Sequence, residues 1–173
     1  YVCDEVVHHI TEACRLETQS EELRLSWLTD CPQDVVTVAA SRSIGVERLG
    51  SLAESAESDA DWWLAARYYS LLQILRLEDA GISAAIAPNS KAVDAIEKAL
   101  SVGVSANADD LDEVLLDQLG FYCQTMQPEF GQREHALIHH LVSSETNTRY
   151  PAEAAVVVFA ATFTLMALGE FET

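Results

Sequence analysis

Lysine is almost missing from this chain. Of 173 residues only Lys91 and Lys98 carry an ammonium group, and the remaining basic residues are arginines. Against 10 basic side chains stand 28 carboxylates, for a net charge of −18. A field of that sign repels phosphate backbones and anionic membranes and attracts cationic partners, so nucleic acid and membrane surfaces are the partners it most disfavours. Low lysine with many carboxylates, alanines and valines is also the composition of adaptation to high salt, in which the charge serves solvation.

Cysteine is scarce too. Cys3, Cys14, Cys31 and Cys123 have neither CxxC spacing nor the density of a disulfide framework, which leaves buried thiols and an expected cytoplasmic location. No GxSxG, Walker A or GxGxxG sequence occurs, so hydrolase, P-loop and Rossmann readings have no support. Nothing at the start resembles a signal peptide, and the chain begins at Tyr1 rather than methionine, as an excised domain or a processed product does. Long apolar runs are absent as well. The longest uncharged one, Ala154 to Gly169, has 16 residues, contains Thr162 and Thr164 and is closed by Glu170 and Glu172. A membrane span needs about 20 apolar residues, so a buried helix is the expectation there.

What the chain does have is a hydrophobic content of 49%, enough for a substantial core. The stretch from Asp59 to Gly81 is apolar nearly all round a helical wheel, with only Arg67, Ser70, Gln73 and Arg76 forming a narrow polar stripe. A helix of that kind is enclosed by neighbours. Asp59 or Asp61 can cap its start, and Gly81 can take the left-handed position past its end. Trp62, Trp63, Tyr68 and Tyr69 read as core anchors, and a small-ligand sensor with its pocket among them is the sharper alternative.

Helical periodicity extends along the rest of the chain. It predicts amphipathic helices over residues 3–16 and 21–28, over 45–56, from Asn89 or Ser90 through Leu100, from Asn107 past Tyr122, and from Glu129 to about Ser143. From Asp34 to Ala40, DVVTVAA has the β-branched content of a short strand, but no second strand offers to pair with it, so the first turns of a helix are the expectation. The segment ISAAIAP before Asn89 reads as a connector. VAASRSIGVERLGSL has a faint helix-turn-helix look, but its spacing is irregular and the acidic charge opposes DNA. The fold expected is all-α: one domain over residues 1–173, a helical bundle of about seven to eight helices around two buried hydrophobic helices, 59–80 and 151–169.

The carboxylates form two clusters. Asp109, Asp110, Asp112, Glu113 and Asp117 are the denser, and Glu54 and Glu57 belong to a second, with Asp59 and Asp61, ahead of the central helix. Neither has the alternating ligands and central glycine of a calcium loop. Beyond capping and solvation, they suit an acidic face that docks a basic protein. An interaction module is therefore the leading functional expectation, a toxin-neutralising immunity protein or a regulatory adaptor domain being concrete cases. Binding is expected rather than catalysis, with no cofactor.

Histidines supply the catalytic alternative. His135 and His139 stand one helical turn apart, and His8 lies between Glu5 and Glu12 at helical spacing. On their helical wheels both sets fall opposite the apolar arcs, toward solvent or a partner. The HxxxH pair resembles the metal-binding helical bundles of the DinB type. That resemblance implies a divalent metal held by His135 and His139, with His8 as the candidate third ligand.

Overall fold

Three corners, of one to three residues, join the four helices in the central part of the chain. The computed structural model describes residues 35–103 together with residues 25, 26, 28, 29, 118 and 121. Among them every regular element is α-helical: α1 (Val35–Ile44), α2 (Val46–Ser58), α3 (Trp62–Ala80) and α4 (Ile82–Val102). None of these is long and apolar enough to cross a membrane. The helices expected over 3–16, 129–143 and 151–169 lie outside the described residues. Gln118 and Phe121, from the helix expected after Asn107, are helical and buried. Contacts divide the chain into two compact units, Tyr1–Ala99 and Leu100–Thr173. The corners and the site described below belong to the first.

Between α1 and α2 stands Gly45 alone, at φ 89° and ψ 156°, and between α3 and α4 stands Gly81 alone, at φ 79° and ψ −174°. Both occupy the region of positive φ and extended ψ that is essentially restricted to glycine. For Gly81 this refines the expected left-handed cap: φ is positive, but the chain leaves the helix extended. A one-residue corner is also shorter than the three- to four-residue turn of a helix-turn-helix.

The α2–α3 corner is made differently. Asp61 N–H donates to the Ala56 carbonyl at 2.9 Å and Ala60 N–H to that of Glu57 at 3.2 Å. Those two bonds form a Schellman motif, whose left-handed position glycine normally fills. Here Ala60 fills it, at φ 58°. Asp61 then begins the next helix, its carboxylate accepting from Leu64 N–H at 3.2 Å. The helix α2 thus runs through Ser58, past the expected end at Ala56, because the Schellman bonds satisfy its last carbonyls.

The stretch read as a connector, ISAAIAP, is the start of α4, and Asn89 is a buried interior residue of that helix rather than its cap. A proline disfavours helix in the residue before it and removes one N–H. Within a helix this costs about 3 kcal/mol. In α4 the cost is offset by a continuous buried face that crosses Pro88, running through Ala85, Asn89, Ala92, Val93, Ile96 and Ala99. Gly103, at φ 69°, follows the last helical residue as expected.

In α3 burial runs without a break from Ala65 to Gln73. Arg67, Ser70 and Gln73 of the polar stripe go inside with the leucines, and only Arg76 is exposed. Tyr68 and Tyr69 are core residues, whereas Trp62 and Trp63 are half-buried at the boundary. The Arg67 guanidinium lies 5.5 Å from the centroid of the Trp63 ring, a cation–π arrangement inside the protein. Of the other helices, α2 packs most closely on α3. Its buried face is Leu49, Ala53 and Ala56, and small residues permit a close approach of helix axes. Helix α4 stands further from α3, at side-chain reach.

Candidate functional site

Both lysines of the chain lie on α4, seven residues and two helical turns apart, so they share one face. On α3, Trp62 and Tyr69 have the same spacing. Lys98 Nζ sits 4.2 Å from the Trp62 ring centroid and Lys91 Nζ 4.9 Å from that of Tyr69. The pairs step backward along α3 as they step forward along α4, so the two helices are antiparallel.

Glu57 of α2 closes the arrangement. Its carboxylate accepts a 2.8 Å hydrogen bond from the Tyr69 hydroxyl, and that oxygen in turn accepts one of 3.1 Å from Lys91 Nζ. Lys91 and Lys98 stand 3.9 and 3.8 Å from the same carboxylate. Three helices thus meet at one glutamate. Burial pushes the Tyr69 hydroxyl above its ordinary range, opposed by the Lys91 bond and assisted by Glu57. The Lys91 ammonium is raised in turn, chiefly by its bond to Tyr69. A tyrosine acting as base or nucleophile needs the opposite shift, toward the operating pH. The cluster has the chemistry of a clasp.

Beside the clasp a groove of about 320 Å³ opens between α2, α3 and α4. Leu72, Ala84, Ala87 and Pro88 make it apolar, Tyr69, Lys91 and Glu54 stand toward one end, and Arg76 is a further polar lining residue. Arg76 makes no ion pair or hydrogen bond with any described residue, whereas Arg42 is held by both oxygens of Glu78, with Nε donating at 3.0 Å.

The acidic residues singled out in the sequence divide accordingly. Glu54 is exposed at the groove rim, and Glu57 is held in the clasp. Asp109, Asp110, Asp112, Glu113 and Asp117 lie outside the described residues, as do His8, His135 and His139. Among the described residues no group of three or more metal-ligating side chains converges. Residues 35–103 hold nine of the 28 acidic side chains and six of the 10 basic ones, so most of the negative charge belongs to the rest of the chain.

Sequence reasoning passed over Tyr69, Lys91 and Lys98 as a group. The signal was the shared seven-residue spacing of Trp62–Tyr69 and Lys91–Lys98, which becomes informative once the helices are known to be antiparallel. No protein-family model matches the chain, and neither does any curated protein or solved structure.

Proposed function

We propose that the protein is an interaction module that docks a partner with a basic surface. The observation that carries this reading is on α2. Glu47, Glu54 and Asp59 are exposed and make no ion pair with any described residue. The nearby lysines are committed to Glu57. Glu47 and Glu54 share one face of α2 with Ser51 and Ser58, and Asp59 continues it at the helix end. Carboxylates left uncompensated in this way attract a cationic surface, speed encounter and fix register.

The overall charge of −18 supports the same reading. An immunity protein that neutralises a nucleic-acid-binding toxin is the concrete case, because an acidic surface offers such a toxin the charge of its substrate. The carboxylates of 109–117 extend this proposal, and a regulatory adaptor domain would use the same chemistry.

The test is partner capture from the source organism with the intact chain, at modest and at high salt, beside a variant carrying Glu47→Lys, Glu54→Lys and Asp59→Lys. The expected partner is basic, is released by salt and is lost in the variant. A dominant partner that is neutral or acidic, or one that ignores both salt and the three substitutions, sinks the reading.

A further inference from the structure

The groove between α3 and α4 has chemistry of its own, and it does not depend on the basic-partner reading. Its cations are not equivalent. Lys91 is bonded to Tyr69 and lies near Glu57, whereas Arg76 is exposed and unpaired among the described residues. Arg76 and Tyr69 are seven residues apart on one face of α3, about 10 Å at 1.5 Å per residue. Between them the lining is apolar, with Leu72 on α3 and Pro88 on α4.

We propose that this groove binds a small amphipathic monocarboxylate, with its carboxylate on Arg76 and its apolar body along Leu72 and Pro88. A guanidinium presents a planar fork that matches a carboxylate with two parallel hydrogen bonds. The volume of about 320 Å³ is at the lower end for small-molecule sites. The other end of the groove selects against a second anionic group, because Glu54 lines it and Glu57 stands behind Lys91. The net negative charge of the chain opposes anions at long range. At physiological salt that opposition is screened beyond about 8 Å, while contact with Arg76 is not.

Gly50 supplies an independent handle. It lines the groove, and a Cβ built there meets only Leu72 Cδ2, at 4.0 Å. A larger side chain at this position grows into the groove, and leaving glycine favours the α2 helix.

The experiment is calorimetric titration of the full chain at physiological salt with octanoate, beside octanol, octylammonium and octanedioate. The folded state of each variant is checked by circular dichroism. One-to-one saturable binding of octanoate is expected, tighter than that of the other three probes. Arg76→Met, which keeps the apolar stem, should weaken it roughly tenfold or more. Gly50→Leu should abolish it while retaining helicity. Octanoate binding no tighter than octanol, binding unchanged in R76M or G50L, tighter binding of octylammonium or octanedioate, or no saturable binding overturns the proposal.

Discussion

Tyr69 joins three helices through one side chain. Its ring is buried with α3, its hydroxyl donates to one helix, and it accepts from another. Tyr69→Phe removes the bridging oxygen and leaves Glu57 facing two lysines directly. A loss of about 1–2 kcal/mol in urea unfolding is expected, since both bonds go to charged groups but the groups left behind remain reachable by water. The same tyrosine ties stability to alkaline pH. Burial raises the pKa of Tyr68 and Tyr69 above 10.0, so the native state holds these protons more tightly than the unfolded chain does. Their contribution is complete below pH 10 and is lost as pH rises through the folded values. Lys91, also raised, adds a loss of the same sign above 10.5. Urea midpoints measured between pH 8 and pH 11.5 should fall above pH 10, and less steeply in Y69F. Ala60 offers the reverse case: it spends a left-handed conformation where glycine would be relaxed. Ala60→Gly should stabilise by about 0.5–1 kcal/mol, the relief exceeding the entropy that glycine adds to the unfolded chain.

Among the elements, the corners decide how the helices meet. Gly45 and Gly81 hold backbone conformations closed to other residues, although an added Cβ would meet nothing within 4 Å at either. Gly81→Ala should therefore cost about 1–3 kcal/mol by thermal or urea unfolding, from local backbone strain rather than a clash with another element. Gly81 was recognisable in the sequence as the end of α3, because a glycine directly follows a long apolar wheel. The start of α4 was not. Proline punctuates most chains, and only the tertiary burial of Ala85, Asn89 and Ala92 carries this helix through Pro88. The polar stripe of α3 shows the same limit. Its spacing was visible, but the burial of Arg67, Ser70 and Gln73 depends on neighbours that a helical wheel does not contain. The clasp was hidden for a related reason: Glu57, Tyr69 and Lys91 are far apart in sequence and meet only through the three-helix geometry.

For the whole molecule, charge is the governing quantity. Self-repulsion at −18 lowers stability at low ionic strength, and added salt screens it. Sodium chloride should raise Tm steeply at first. Screening is nearly complete near 1 M, where the Debye length is about 3 Å. A Tm that levels off there fits charge kept for a partner, and one that continues to climb at higher salt marks adaptation to a saline environment.

The two lysines have one more consequence, for proteolysis. An endoprotease specific for lysine finds two bonds to cut in the entire chain, after Lys91 and Lys98, and both lie within α4. A protease cleft takes extended backbone, so the intact helix is not a substrate and each cut records an opening of α4. Where reclosing is faster than cleavage, the rate reads the population of that open form directly. The chain thus carries its own reporter for the release of α4 from α2 and α3, with no label to introduce.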